Sequence, residues 1–186
     1  ADEESLTEGR YKRYQYTDNG VSPRLIPGRS GEKIILVDSH EHDEYGNIDE
    51  SVETRVKMMK KRMKKLEELR KEVQDPWFFG DSEPKNLFVA FGATYGALKE
   101  SVERLNEAGE SAGGLVFGDV WPFPVEKLNE LGSKADRIIM VEQNFTGQLE
   151  SLVREHTKLD IWGHIRKYDG RAINGDEIIA EYNQLS

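Results

Sequence analysis

The sequence contains no cysteine, which excludes disulfides, thiolate zinc sites and cysteine-ligated iron–sulfur clusters from this chain. It contains no apolar run near the ~18 residues that a membrane-spanning helix needs. Its acidic start, Ala1-Asp2-Glu3-Glu4, is the opposite of the basic opening of a signal peptide. Basic residues are in the minority, with 26 Lys and Arg against 35 Asp and Glu and a formal charge of -9. That balance argues against a nucleic acid or an anionic membrane as partner, since both demand a basic footprint. There is no Walker loop, no nucleophile elbow and no Ser/His/Asp set at a recognisable spacing. A cytoplasmic protein is expected, and the absent initiator methionine points to a fragment.

The 186 residues suffice for one main domain and a small appendage. Residues 1–31 are polar and broken by Asn19-Gly20, Ser22-Pro23 and Pro27-Gly28, dipeptides that favour turns, so an extended linker or arm is predicted there. Lys33 to Asp38 (KIILVD) reads as a short strand leading into the acidic loop Asp38-Ser39-His40-Glu41-His42-Asp43-Glu44. From Ser51, the residues Val52, Val56, Met59, Met63, Leu66 and Val73 recur in steps of three and four, with Arg70 in the place before Val73. This is one apolar stripe on a helix that Asp75-Pro76 ends, and the stripe is expected to pack on a protein surface. The remaining face is basic, with nine Lys and Arg against four Glu between Glu53 and Glu72.

After Pro84 the pattern alternates. Strands are predicted at Leu87–Phe91, Leu115–Phe117, Arg137–Val141 and Asp160–Ile165, separated by helices running to Ala108, at 124–131, at 145–156 and at 176–182. The expected fold class is therefore α/β: three layers, a mostly parallel sheet with helices on both faces over residues 84–186. An arm (1–50) and a long basic amphipathic helix (51–75) precede it.

Three constellations bear on function. His40 and His42 with Asp38, Glu41, Asp43 and Glu44 can be read as a metal site or, with no third ligand evident, as a solvated acidic loop. Gly92-Ala93-Thr94-Tyr95-Gly96 follows a strand, but it lacks the three-glycine spacing of a dinucleotide site, and a tight strand-to-helix turn explains it as well. The run Glu142-Gln143-Asn144-Phe145-Thr146-Gly147-Gln148 follows another strand. Because parallel strands end at one edge, Glu142, Asn144, Gly147 and Gln148 are expected to converge with Gly92, Thr94, Asp119 and Trp121 on one rim. Such a rim can receive a ligand or partner. Equally, Asn144 can merely cap the following helix.

These residues carry a resemblance. Tyr14, Thr17, Gly20-Val21-Ser22-Pro23-Arg24 and Ile26-Pro27-Gly28 resemble a segment in alpha subunits of 2-oxoacid:ferredoxin oxidoreductases, especially of the 2-oxoglutarate type. Glu41-His42-Asp43-Glu44 with Gly46, Lys61-Arg62 with Lys65-Leu66, Gly92 to Ala97, Pro122 with Pro124, Glu142 with Asn144, Gly147 and Gln148, and Tyr168-Asp169-Gly170-Arg171 follow in that family's order. The resemblance covers roughly residues 11–182. It implies a carboxy-terminal domain like that of transketolase, with no catalytic residue and no metal of its own. It also implies a complete enzyme that joins a 2-oxoacid to coenzyme A, releases carbon dioxide and reduces ferredoxin. That enzyme would use thiamine diphosphate, magnesium and iron–sulfur clusters, with the clusters on a beta subunit. Its rivals are a stand-alone nucleotide- or metal-dependent enzyme and an interaction module of the transketolase or pyruvate dehydrogenase lineage.

Overall fold

The computed structural model describes residues 9–26, 28 and 34–185; the opening acidic residues, Pro27 and Lys33, named above, lie outside the described residues. The chain divides into two compact units, residues 1–72 and 73–186.

In the first unit an irregular arm folds back on itself. The Tyr11 hydroxyl donates to the Pro23 carbonyl at 2.9 Å and accepts from the Leu25 N–H at 3.0 Å, and Tyr11 and Leu25 are buried. The expected strand is not there: residues 34–38 form no ladder, and Ile34, Leu36 and Val37 are exposed. An apolar run becomes a strand only beside a neighbour that completes its hydrogen bonds, and the described residues supply none. Helix α1 (Val52–Leu69) begins at Ser51, whose Oγ accepts from the Thr54 N–H at 3.2 Å.

The stripe on α1 was expected to pack on the sheet layer of its own domain or on a neighbouring domain. Val52, Val56 and Met63 are exposed, and the buried position is Met58. Glu41 accepts from Arg55 at 2.6 Å and from Arg62, which fastens the arm to the basic side of the helix. Met58 stands three residues after Arg55 and four before Arg62, on that same face. The Arg62 hydrogen bond, aided by that of Arg55, outweighs burial and holds the Glu41 carboxyl at about 2, below its ordinary 4.5. A carboxylate whose folded value is depressed contributes fully above its unfolded value and loses that contribution as pH falls through the folded one. The clasp should therefore be complete above pH 4.5 and release towards pH 2. Side-chain NMR of Arg55 and Arg62 should show a midpoint near 2, and a midpoint at the ordinary carboxylate value would refute the clasp.

The second unit is a five-stranded sheet of order β1-β3-β2-β4-β5. Its strands are β1 (Trp77–Gly80), β2 (Asn86–Phe91), β3 (Ala112–Phe117), β4 (Arg137–Glu142) and β5 (Gly163–Arg166). Strands β2 to β5 run parallel, and β1 is antiparallel to β3 at the edge. The helices are α2 (Tyr95–Glu107), α3 (Glu126–Gly132), α4 (Gln148–His156) and α5 (Gly175–Leu185). The mostly parallel α/β architecture is as expected, with four differences. Strand β1 was not anticipated. Strand β3 starts earlier, because Gly113 and Gly114 pair although they read as a break. There the Pro84 ring approaches Gly113 and the Phe79 ring approaches Gly114 so closely that a β-carbon on either glycine would collide. Strand β5 is shorter, and α4 starts at Gln148 because residues 143–147 form a turn.

Near-continuous apolar strands signal burial on both faces. In β2, Phe88 and Ala90 join a core with Val102, Leu105, Ile178 and Tyr182 from α2 and α5. Leu87 and Val89 join an opposite core with Leu128, Leu149 and Val153 from α3 and α4. The period-two alternation of a strand thus feeds both layers. No helix among the described residues is long and apolar enough to cross a membrane.

Candidate functional site

Parallel pairing brings the carboxyl ends of β2, β3, β4 and β5 to one edge, and with them Gly92–Thr94, Gly118–Trp121, Gln143–Gly147 and Lys167–Arg171. The predicted rim residues therefore meet on one side of the unit. Their side chains divide into two groups.

The first group faces inward. Glu142 is 0% exposed. Its Oε2 accepts from the Leu149 N–H at 2.8 Å and from the Asn144 amide at 2.8 Å, and its Oε1 accepts from the Glu150 N–H at 2.9 Å. Asn144 Oδ1 accepts from the N–H groups of Gly147 and Gln148 at 2.7 and 3.2 Å. Together they fill the donors that the first turn of α4 leaves open. Gly147 has φ 70°, and a β-carbon there would lie 2.5 Å from the Arg166 guanidinium. Only glycine fits both the left-handed backbone and that space. Thr94 is buried, and its hydroxyl accepts from the Gln143 amide at 3.3 Å, while Gln143 Oε1 accepts from the Ile173 N–H at 2.9 Å. Gln143 thus laces three segments of the edge together, a role its sequence position did not reveal.

The second group faces outward. Gly92, Asp119, Trp121 and Gln148 are exposed, and Asp119 Oδ2 accepts from the Gln74 N–H at 3.0 Å. Gln148 borders an apolar notch of about 110 Å³ lined by Phe91, Val120, Leu149 and Leu152. The same edge carries three exposed aromatics, Trp121, which belongs to the expected rim, and Phe145 and Tyr168, which do not. Phe145 is 68% exposed and Tyr168 63%, their rings 4.9 Å apart and edge to face, and Trp121 is 54% exposed with its ring 5.7 Å from that of His156. Two of these could have been found in sequence, since Phe145 lies inside the polar run and Tyr168 follows the last strand. Behind Tyr168, the Arg171 backbone N–H and guanidinium hold the Asp169 carboxyl well below the usual range, and Lys167 adds to this.

Beneath the edge lies an ion-pair cluster. Glu150 accepts from Arg154 at 2.8 Å and from Arg166 at 2.6 Å, and its side chain is 9% exposed. Burial pushes its carboxyl up, but the hydrogen bonds from Arg166 and Arg154 outweigh burial and leave it below the ordinary value.

Metal ligation is not supported by the donors present. His42 is buried, its ring 3.8 Å from that of Tyr14 and its Nδ1 2.7 Å from the His40 carbonyl, whereas His40 is exposed and pairs with Asp38 at 2.9 Å. Among the described residues no group of three or more His, Cys, Asp or Glu could hold a metal ion. The chain has no cysteine for a cluster.

The chain is 34% identical over 178 residues to 2-oxoacid:ferredoxin oxidoreductase 2, subunit alpha, of Aeropyrum pernix, a match covering 94% of the chain and 27% of that relative. It is 34% identical over 171 residues to 2-oxoacid:ferredoxin oxidoreductase 1, subunit alpha, of Sulfurisphaera tokodaii, covering 90% and 26%. The chain thus spans about a quarter of the length of these relatives. Its fold is similar to part of the 2-oxoglutarate:ferredoxin oxidoreductase from Magnetococcus marinus, with a TM-score of 0.75 and 24% identity over 96% of this chain and 31% of that one. Residues 85–178 match the family described as pyruvate:ferredoxin oxidoreductase core domain II, and it is to this family that the chain belongs.

Proposed function

We propose that the chain is a non-catalytic domain of the alpha subunit of a 2-oxoacid:ferredoxin oxidoreductase. In this reading the complete cytoplasmic enzyme converts a 2-oxoacid, such as 2-oxoglutarate or pyruvate, and coenzyme A to acyl-CoA and carbon dioxide while reducing ferredoxin. Residues 1–50 and 51–75 serve as connecting arm and helix, and 84–186 as the domain proper. Thiamine diphosphate, magnesium and the iron–sulfur clusters belong to other parts of the complex, with the beta subunit as direct partner. Support comes from the two alpha-subunit relatives and from the solved oxidoreductase that holds 2-oxoglutarate, coenzyme A and succinyl-CoA.

The observation that carries an assembly role is the outward half of the sheet edge. Trp121, Phe145 and Tyr168 are large aromatics held half or more exposed at the edge that also carries a small apolar notch. Aromatic anchors surrounding a cleft are the usual hot spots of protein interfaces, and truncating one costs about 2 kcal/mol or more of binding. Gly92, Asp119, Gln148 and the turn held by Glu142, Asn144, Gly147 and Thr94 form the frame around them. The test is reconstitution of the complete alpha subunit with its beta subunit. Phe145→Ala with Tyr168→Ala should leave the chain folded, weaken association about 30-fold or more, and lower 2-oxoacid-dependent ferredoxin reduction at limiting subunit. Unchanged association would refute the role of the edge.

A further inference from the structure

A second candidate site lies in the first unit. Gly20, at φ 75°, sets the turn of the arm directly on the backbone of α1, where a β-carbon would lie 2.6 Å from the Lys61 carbonyl oxygen and 2.8 Å from the Lys65 nitrogen. The arm therefore acts as a wall above the helix. Beside it runs a groove of about 450 Å³ whose lining includes Arg13, Arg24, Lys61 and Lys65. Two of these cations come from the arm and two from the helix. Among the described residues none of the four has an ion-pair partner. By contrast Arg55 and Arg62, on the same helix, are both taken by Glu41. The groove also holds Glu68 and Glu72, but Glu68 is paired with Lys71 at 2.8 Å, and Glu72 has an interaction of its own. Tyr14, Val21 and Leu69 supply ring and aliphatic wall.

Four unpaired cations in one concave space repel one another unless an anion joins them. Burial, then Lys65, Arg62 and Arg13, push the Lys61 pKa below the ordinary lysine value, with Glu44 opposing them. A carboxylate of the chain itself would have been the simplest remedy, as at Glu41. We infer that this groove binds a multiply charged, phosphate-bearing small molecule, its phosphates between Arg13, Arg24, Lys61 and Lys65 and its organic part against Tyr14, Val21 and Leu69. Arginine forks and lysine ammoniums are the side chains that hold phosphate by charge-assisted hydrogen bonds. The mixed apolar wall favours a small organic phosphate over a polyanionic protein tail. The groove volume suits one ligand of drug-like to nucleotide size.

The test is calorimetric titration of the 186-residue chain with inorganic triphosphate, with adenosine triphosphate free of magnesium, and with a hexaglutamate peptide, at low and at moderate salt. Both phosphates should bind, the nucleotide more tightly, and both should weaken as salt rises. Lys61→Gln and Arg24→Gln should each lower the affinity about tenfold or more, the loss expected for one charge-assisted hydrogen bond. Lys64→Gln, outside the groove, should have no effect, and Lys61→Arg should retain binding. Far-UV circular dichroism would verify that each variant keeps its helix. Absence of binding by either phosphate at millimolar concentration would overturn the proposal. So would equal binding by the Lys61→Gln and Arg24→Gln variants, or tighter binding of the peptide than of the nucleotide.

Discussion

Replacing Glu142 by leucine should destabilise the second unit by about 3 kcal/mol or more, although the position reads in sequence as a surface contact. The substitution removes the acceptor of the Leu149 and Glu150 N–H groups and of the Asn144 amide. Each buried donor left without a partner costs about 1–3 kcal/mol, and the N-terminus of α4 also loses the negative charge that complements its dipole. Glu142→Gln, which keeps one oxygen, should lose less. The unit carries its own probe, because Trp77, Trp121 and Trp162 all lie within residues 73–186 and no other tryptophan exists. Urea unfolding followed by tryptophan fluorescence therefore reads this unit alone. An unchanged midpoint for Glu142→Leu would mean that α4 does not depend on this carboxylate.

Glu150→Leu is expected to cost about 2–3 kcal/mol, below the range for a fully buried pair because the Arg166 side chain is 25% exposed. It strands the Arg166 guanidinium, whose Nε already has no partner among the described residues. The double variant Glu150→Leu with Arg166→Met should recover most of the loss, because the penalty belongs to the uncompensated charge rather than to the missing contact. The depressed Glu150 carboxyl adds a pH signature: its stabilisation is complete above the ordinary value of 4.5 and fades as pH falls below it. The same fluorescence midpoint, compared with the single and double variants at pH 7 and pH 4, tests both statements. If the double variant were as weak as Glu150→Leu, the pair would not be a coupled unit.

The parts of the fold that were legible share a cause. Runs such as Leu87–Phe91 and Arg137–Val141 are apolar throughout because both faces of their strands are covered, and such runs declare themselves without any knowledge of neighbours. KIILVD looks the same locally and is no strand, since the decision rests with a ladder partner that a local pattern cannot display. Strand β1 failed in the opposite way. Trp77-Phe78-Phe79-Gly80 is short, and its partner β3 lies beyond a helix in sequence. The apolar stripe of α1 was legible, but that Met58, on the face that Glu41 fastens, is the buried position was not. At the candidate site the topology placed Gly92, Asp119, Trp121, Glu142 and Gln148 at one edge from sequence alone. Whether a carboxylate there turns in or out depends on the backbone of the next turn, and Gly147 settles it by steering α4 over Glu142.

The antiparallel edge strand carries a consequence for synthesis. Strand β1 leaves the ribosome before every other strand of its sheet, yet among the described residues its one neighbour is β3, which is made only after β2 and α2. During that interval Phe78 and Phe79 have no Gly113 and Gly114 to lie against, and the nascent chain displays a Trp-Phe-Phe segment to its surroundings. Domains made from the amino terminus at about 5–20 residues per second keep such a segment open for seconds. Docking of β1 is thus a late event in the birth of this unit, and its aromatic trio is the segment for which a chaperone would compete.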